Sequence, residues 1–188
     1  MRFIWMAAAL MAAPAFADDA PRLYQSDTAI EIKAAPGATS SAQTDPLVRV
    51  NQINLTLSFT CAQAAKGAAP CGQSAFELLA ESDGSDKAAL NLAAKDGVLQ
   101  PGAVRRQGDA SLPPEVYKLT PRPGETFDVH IHWTQGNRVS FDLYRKDPVT
   151  EAETMESQDV QLSGPVQDLK MWVTGGSLVI SHQIYLFR

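Results

Sequence analysis

Residues 127–144 alternate strictly between apolar and polar side chains, and this alternation constrains the fold more than any other feature of the chain. The apolar positions are Phe127, Val129, Ile131 and Trp133 in one run and Val139, Phe141 and Leu143 in the next. Because successive side chains of a strand point to opposite faces of a sheet, each run predicts a β-strand with one buried and one solvated face. The intervening Gln135-Gly136-Asn137 predicts the turn of a hairpin.

The pairing register of this hairpin follows from the requirement that apolar residues pair with apolar residues across the two strands. A two-residue turn would place every polar residue opposite an apolar one, which cannot serve one buried face. A three-residue loop pairs Trp133 with Val139 on the core side, and Asn137 suits the left-handed conformation that such loops need at their third position. On the other face this register pairs His132 with Ser140, His130 with Asp142, and Asp128 with Tyr144.

Short apolar runs and turn signals fill much of the remaining chain. Alternation from Ile53 to Cys61 predicts another half-buried strand, and the close spacing of Gly and Pro pairs leaves little room for helices. One or two helical turns over Ala88 to Lys95 are an alternative for that segment. Two further runs, Val166 to Val173 and Leu178 to Phe187, predict a second hairpin around Gly175-Gly176.

Both hairpin segments resemble concanavalin A-like and laminin G-like jelly-roll domains. The first reads GETFDVHIHWTQGNRVSFDLY and is similar to a pair in which one strand ends at a Trp, turns on a Gly and returns as a ligand-facing strand. The second reads DLKMWVTGGSLVISHQIYLF and is similar to the terminal strand pair of those domains. The resemblance implies an all-β fold of two packed antiparallel sheets, one of them often concave and carbohydrate-binding. An immunoglobulin-like sandwich is the alternative, which the local spacing of the cysteines fits less well.

The first 17 residues are predicted to be a cleavable signal peptide. They begin with one basic residue, continue with an apolar stretch too short to span a bilayer comfortably, and end in the small-x-small pattern Ala15-Phe16-Ala17. Cleavage before Asp18 predicts a periplasmic or secreted protein without stable membrane insertion, and a retained anchor is the alternative. Beyond the cleavage site we expect a strand and a flexible linker over residues 18–46 and a β-sandwich domain over residues 47–188.

Cys61 and Cys71 are the two cysteines of the chain. An even pair in an exported protein is most simply a disulfide, and this one would close a short loop and stabilise the fold by about 2–3 kcal/mol. The Cys-x-x-Cys spacing of redox sites is absent, so we predict a structural bridge.

The charge balance and the missing motifs exclude several classes of function. The chain has 21 acidic and 16 basic residues, a net charge of −5, and lacks the basic clusters that nucleic acids or anionic membrane surfaces require. It contains no phosphate loop, dinucleotide fingerprint, nucleophile elbow or metalloprotease helix. We therefore predict no cofactor and assign no catalytic residue.

The polar face of the 127–144 hairpin is the predicted ligand-binding site. Its members are Asp128, His130, His132, Arg138, Asp142 and Tyr144, and Trp172 is added as a second aromatic platform. An aromatic ring packs on the apolar face of a sugar while polar neighbours bond its hydroxyls. The carboxylate opposite His130 predicts a raised pKa for that histidine.

A metal at this face is the competing interpretation. His130 and His132 are two positions apart on a strand and project from one face, as in strand-borne zinc sites. A zinc site needs a third protein ligand, and alternation with Leu178 and Ile180 predicts that the remaining histidine, His182, lies in the core. A polar outer strand has the same composition without any metal, so we predict no metal site.

An acidic trio, Glu151, Glu153 and Glu156, resembles the spacing of the paired carboxylates in laminarinase-type glycosidases. The middle residue is Glu where that pattern has Asp, and the trio follows a hairpin that it should precede. We therefore predict an acidic surface loop.

These features predict an exported, non-enzymatic β-sandwich module that binds a glycan or another cell-envelope ligand. Two other classes stay open on the sequence alone. One is a periplasmic protein-interaction subunit, such as an assembly factor or inhibitor, that uses a sheet edge or a loop surface. The other is a glycoside hydrolase or lyase on the same jelly roll, because a fold does not fix a function.

Overall fold

The computed structural model describes residues 22–43, 50–61, 75–82, 86–95, 98–107, 110–111, 115–147 and 149–187. Within these ranges the chain forms fourteen β-strands and no helix. The strands are β1 (Arg22–Ser26), β2 (Ile30–Lys33), β3 (Thr39–Gln43), β4 (Val50–Cys61), β5 (Ala75–Ser82), β6 (Asp86–Lys95), β7 (Val98–Gln107), β8 (Ala110–Ser111), β9 (Glu115–Val116), β10 (Thr126–Trp133), β11 (Arg138–Lys146), β12 (Glu153–Gln161), β13 (Val166–Thr174) and β14 (Gly176–Phe187).

The strands form two antiparallel sheets. Sheet I has the order β1-β14-β4-β10-β11-β12, and β2 also pairs with β14. Sheet II has the order β3-β13-β5-β6-β7-β8, and β9 pairs with β7. The predicted all-β, two-sheet antiparallel sandwich is thus confirmed. The consecutive strands β5 to β8 lie side by side in one sheet, an arrangement that the ABED-against-CFG order of an immunoglobulin domain does not contain.

The apolar sides of the two sheets face each other and form the core. Phe76 of sheet II packs against Phe59 and Phe127 of sheet I, with ring centroids 5.3 and 6.1 Å apart. All three side chains are at most 2% exposed. Burial of a phenylalanine contributes about 1.5–3 kcal/mol, so this cluster is a main contact between the sheets.

Strands β10 and β11 form a hairpin in the predicted register. Trp133 pairs with Val139 on the core side, and Trp133 is 9% exposed. The loop closes by hydrogen bonds of 3.0 Å from the Asn137 N–H to the Thr134 carbonyl and from the Thr134 N–H to the Arg138 carbonyl. Asn137 has φ 59°, the left-handed conformation expected at the third loop position.

The prediction of a second hairpin, around Gly175-Gly176, is wrong. Strand β13 lies in sheet II and β14 in sheet I, so the glycine pair connects the two sheets instead of turning within one. Gly175 has φ 55°, and a Cβ on Gly176 would lie 2.6 Å from Phe59 Cζ and 2.7 Å from the Thr60 carbonyl oxygen. The glycines therefore allow the chain to pass from sheet II to sheet I in close contact with Phe59 and Thr60. The pattern of apolar residues is the same for such a connection as for a hairpin turn.

The segment that precedes β4 contributes strands to both sheets. The predicted strand at Ile30–Lys33 is β2, which pairs with β14 beside β1. Thr39–Gln43, part of the predicted linker, instead forms β3 at the edge of sheet II. The alternative prediction of helical turns over Ala88 to Lys95 is wrong. This segment belongs to strand β6, which lies between β5 and β7.

The buried carboxylate of Asp86 in sheet II forms an ion pair with Arg105 and also binds the loop after β12. Asp86 is 3% exposed and accepts hydrogen bonds from Arg105 Nε (3.0 Å), Arg105 Nη2 (2.9 Å) and the Ser163 N–H (2.7 Å). Burial raises the pKa of the Asp86 carboxyl, but the hydrogen bonds from Arg105 and Ser163 outweigh it and hold the pKa below its ordinary value.

The predicted signal peptide and Cys71 lie outside the described residues, so signal cleavage and the Cys61–Cys71 bridge stay predictions. In the described part of the chain, no helix is long and apolar enough to cross a membrane.

Candidate ligand-binding faces

Six of the seven predicted site residues share the outer face of sheet I. Strand alternation buries Val129, Ile131 and Phe141 in the core and turns their neighbours outward. The outward residues are Asp128, His130 and His132 on β10, and Arg138, Asp142 and Tyr144 on β11. The cross-strand pairs predicted for this face are confirmed: Asp128 with Tyr144, His130 with Asp142, and His132 with Ser140.

His130 and Tyr144 form an aromatic pair at the centre of this face. They lie diagonally across β10 and β11, and their ring centroids are 4.4 Å apart at an interplanar angle of 43°. Both side chains are half-buried. The pair therefore offers a fixed, partly exposed apolar surface on an otherwise polar sheet.

Two carboxylates with fixed positions flank the pair. Asp128 Oδ1 accepts a hydrogen bond of 2.5 Å from Thr56 Oγ1 on β4, and Asp142 Oδ1 accepts one of 2.5 Å from Ser157 Oγ on β12. The second oxygen of Asp128 is an acceptor for a further donor, whereas Asp142 Oδ2 lies 3.4 Å from His132 Nδ1. The four strands β4, β10, β11 and β12 thus hold an aromatic surface between two acceptors.

The raised pKa predicted for His130 is wrong. Burial lowers the pKa of this imidazole, and the opposing attraction of Asp128, Asp142 and Glu153 does not compensate for it. On β10, the histidine in contact with a carboxylate is instead His132, whose Nδ1 lies 3.4 Å from Asp142 Oδ2. Burial, followed by the charges of Asp142 and Glu153, raises the pKa of Tyr144.

Arg138 lies at the end of the face next to the turn. Its guanidinium forms an ion pair with Asp159 of β12, and Asp159 also accepts a hydrogen bond from the Ser140 hydroxyl. The Arg138 side chain is 58% exposed, so the ion pair is a surface contact that contributes little to stability.

His182 also lies on the outer face of sheet I and is not a core residue. A β-bulge between Ile180 and His182 shifts the alternation of β14 by one residue, so that Gln183 takes the buried position at 5% exposure. His182 Nδ1 lies 2.5 Å from Asp27 Oδ1. Sequence alternation misses this histidine because a bulge leaves no signal in a period-two pattern.

Trp172 is on the other sheet. It lies in β13, is 39% exposed, and pairs across the strands with Ser41 of β3 and Glu77 of β5. The structure therefore separates it from the six residues of sheet I, and the predicted single site becomes two faces of the sandwich.

The acidic trio does not form a carboxylate pair on one face. Glu153 begins β12 and Glu156 lies three positions later, so their side chains point to opposite sides of the strand. Glu156 Oε2 accepts hydrogen bonds from the N–H groups of Lys118 (2.6 Å) and Leu119 (3.0 Å). The prediction of a loop is wrong from Glu153 onward, and Glu156 positions the segment before β10.

Among the described residues, no three histidine, cysteine or carboxylate side chains are arranged to hold a metal ion. A shallow pocket of about 270 Å³ lies at the turn end of the β10–β11 hairpin, next to Trp133 and Asn137. Its other lining residues are Val50, Asn51, Thr134, Gln135 and Pro165.

Comparison with known proteins finds solved structures that are similar to this chain at low sequence identity. No protein family and no curated protein matches the sequence. A legume lectin-like domain from Entamoeba histolytica is 10% identical, with 87% of this chain and 89% of that chain covered and a TM-score of 0.49. The Caenorhabditis elegans galectin LEC-6 is 13% identical, with 85% and 96% covered and a TM-score of 0.48. A Scytalido-glutamic peptidase is 10% identical, with 76% and 65% covered and a TM-score of 0.47.

Lectin domains are thus among the chains of similar structure. The strand order defines the class of the protein as an antiparallel two-sheet β-sandwich.

Proposed function

We propose that this chain is an exported, non-enzymatic module that binds a glycan of the cell envelope through the outer face of sheet I. The observation that carries the proposal is the His130–Tyr144 pair held between Asp128 and Asp142. Sugars combine apolar C–H faces with hydroxyl donors, so a fixed aromatic surface beside fixed carboxylate acceptors complements both. The long open sheet suits a chain polymer better than a small enclosed ligand.

The experiment is a screen of the mature protein against cell-envelope polysaccharides, followed by calorimetry on the polysaccharide that binds. Replacing Tyr144 with Ala removes the larger ring of the pair, and we expect affinity to fall about tenfold, equivalent to 1.4 kcal/mol. Tyr24→Ala is the matched control, because Tyr24 is 57% exposed on β1 of the same sheet but lies outside this face. Equal affinity of wild type and Tyr144→Ala would reject this face as the site.

Two further measurements test the remaining parts of the proposal. The intact mass of the exported protein should correspond to a chain that begins at Asp18, and a retained residue 1–17 segment would contradict signal cleavage. Incubation with the bound polysaccharide should release no reducing ends. Release of reducing ends that persists in purified protein would instead support a hydrolase.

A further inference from the structure

Carboxylates from three strands surround the Tyr144 ring on the outer face of sheet I. Asp128 pairs with Tyr144 across β10 and β11, and Asp142 lies two positions before Tyr144 on β11 itself. Glu153 lies two positions before Met155, the residue of β12 that pairs with Tyr144. Because alternate residues of a strand share a face, all these side chains point outward with the ring. The ring therefore has an acidic neighbour on each of β10, β11 and β12.

Two of these carboxylates have no ion-pair partner among the described residues. Asp128 accepts its hydrogen bond from an uncharged group, the Thr56 hydroxyl, and Glu153 forms no ion pair. The third, Asp142, has Oδ2 at 3.4 Å from His132 Nδ1. Solvent reaches all three: Glu153 is exposed, Asp128 is half-buried, and the Asp142 side chain is 13% exposed. A ligand that lies on the sheet can therefore approach this acidic group of side chains.

The permanent cations of this face are paired elsewhere. Arg138 pairs with Asp159 at the turn end, and Lys146 Nζ lies 3.9 Å from Glu151 Oε2 at the opposite end. The outward side chains of β10, β11 and β12 include four carboxylates and two permanent cations, namely Asp128, Asp142, Glu153 and Asp159 against Arg138 and Lys146. The face therefore has an excess of negative charge, centred on the aromatic pair.

The protonation of the two rings is consistent with these surroundings. Burial, followed by the charges of Asp142 and Glu153, raises the pKa of the Tyr144 hydroxyl. Burial lowers the pKa of His130 in spite of the neighbouring carboxylates, so this imidazole is neutral at pH 7. His130 thus supplies an apolar ring at the centre of the face and adds no positive charge to it.

We infer that the glycan bound by sheet I carries protonated amino groups, and that one ammonium contacts the exposed part of the Tyr144 ring among the three surrounding carboxylates. This inference rests on the function proposed above and names the class of its ligand, an amino sugar with a free amine. The negative face of an aromatic ring attracts a cation, and carboxylate oxygens accept the N–H bonds of an ammonium. Met155, which is 52% exposed beside Tyr144, adds an apolar contact for the carbons of the sugar ring.

Other ligands fit this face less well. An N-acetylated sugar has no positive charge for the carboxylates, and an acidic sugar is repelled by them. A lysine-rich peptide carries the same ammonium groups, but the apolar surface of Tyr144 and Met155 matches the C–H face of a sugar ring. We therefore favour the amino sugar, and the peptide is included in the test.

The test compares two ligands of the mature protein by calorimetry at pH 6, where free sugar amines are largely protonated. One is a hexamer of N-acetylglucosamine and the other is its de-N-acetylated counterpart. We expect the de-N-acetylated hexamer to bind about tenfold more tightly, through ammonium contacts with the ring and the carboxylates. Raising the ionic strength from about 0.1 M to 1 M should reduce this advantage, because the Debye length shortens from about 10 Å to about 3 Å.

Two results of this comparison would overturn the inference. The first is equal affinity for the two hexamers, or tighter binding of the acetylated one. The second is a lysine hexamer that binds as tightly as the de-N-acetylated sugar, since the charge preference would then belong to a site for basic peptides.

Asp128→Asn tests the carboxylate. Asparagine keeps an acceptor for the Thr56 hydroxyl, so the fold should be retained. We expect affinity for the de-N-acetylated hexamer to fall about fivefold, the upper value for one exposed ion pair, and affinity for the acetylated hexamer to stay unchanged. Asp168→Asn is the matched control, because Asp168 is a half-buried outward residue of β13 in sheet II. Equal losses in the two variants would show an effect of net charge alone and would reject the site.

Two substitutions of Tyr144 test the contact between the ammonium and the ring. Tyr144→Phe keeps the aromatic face, so the ratio of the two hexamer affinities should be retained. Tyr144→Leu keeps an apolar side chain without an aromatic face, and the ratio should fall by about threefold to fivefold. The same ratio in both variants would contradict this contact.

The inference and the proposed function fail separately. If a neutral polysaccharide binds, Tyr144→Ala weakens that binding, and Asp128→Asn has no effect on any ligand, the inference is wrong and the function proposed for sheet I stands. If neither polysaccharides nor hexamers bind, or if Tyr144→Ala leaves every affinity unchanged, both are wrong.

Discussion

His132 Nδ1 lies 3.4 Å from Asp142 Oδ2, although the strand register places Asp142 opposite His130. The contact is diagonal, between residues on the same face of two neighbouring strands. It directs the carboxylate toward His132, whose side chain is 40% exposed, and leaves His130 without an ion-pair partner among the described residues. The two histidines of the His-x-His sequence therefore have different electrostatic surroundings.

The protonation of His130 is the first prediction. Burial lowers its pKa below the ordinary value of 6.5, so in an NMR titration its imidazole signals should move with a midpoint below 6.5. The unfolded chain then binds the proton more readily than the folded chain, and this residue makes the free energy of unfolding fall as pH drops through the range just below 6.5. His130→Gln should remove that dependence. A titration midpoint above 6.5 would contradict the lowered pKa of His130.

The loop of the β10–β11 hairpin gives a second prediction. Asn137 has φ 59°, a conformation that costs an ordinary L-residue about 1–2 kcal/mol. Asn137→Val should lower the free energy of unfolding in urea by about that amount, whereas Asn137→Gly should stay within about 0.5 kcal/mol of wild type. Gln135→Val in the same loop is the control, and equal losses from both valines would point to hydrophobic exposure instead of backbone strain.

The crossing between the sheets gives a third prediction. A Cβ at Gly176 would lie 2.6 Å from Phe59 Cζ and 2.7 Å from the Thr60 carbonyl oxygen, so Gly176→Ala must displace a buried ring and backbone. We expect a loss of about 1–3 kcal/mol in urea denaturation. Gly136→Ala is the matched control, since its Cβ would lie 3.7 Å from its nearest neighbour, Thr134 Oγ1. Similar stability of the two alanine variants would contradict the close approach.

The Asp86–Arg105 pair predicts part of the acid sensitivity of the fold. The pKa of Asp86 is lower in the folded chain than its ordinary value of 3.8. The Asp86 carboxylate therefore stabilises the fold at pH values above 3.8, and this stabilisation is lost as pH falls through the pKa of the folded chain. Asp86→Asn should lower stability at pH 7 by about 1–3 kcal/mol and reduce the additional loss between pH 4 and pH 2. Glu151→Gln, whose side chain is 80% exposed, should change neither quantity measurably.

The predicted Cys61–Cys71 bridge is tested by mass spectrometry of the protein purified without a reductant. Alkylation before reduction should add no mass, and alkylation after reduction should add the mass of two labels. Two labels incorporated without reduction would show that the cysteines are free thiols.

Sequence alternation predicted the β10–β11 hairpin to the residue, because a period of two leaves one register that gives both strands a buried face. The same reasoning failed for His182, where a bulge shifts the parity of β14. It also failed for the β13–β14 connection. A local pattern identifies strands and turns, but the sheet to which each strand belongs depends on contacts with residues distant in the chain.

The sequence also predicted only those parts of the candidate site that lie within one hairpin. Six residues were correctly placed on one face because they belong to one hairpin, whereas Trp172 was grouped with them although it lies on the opposite sheet. The pKa of His130 was predicted in the wrong direction because burial cannot be read from a neighbouring carboxylate.

The position of β4 between β10 and β14 has a consequence for the order of assembly. Thr56 of β4 bonds to Asp128, 72 residues later, and to Ser181, 125 residues later. Both neighbours of this strand are therefore synthesised long after it, and loops of such length close slowly. Until β14 emerges from the ribosome, β4 lacks one of the two strands that flank it in sheet I, and an unpaired strand edge of this kind is a site for aggregation with other chains.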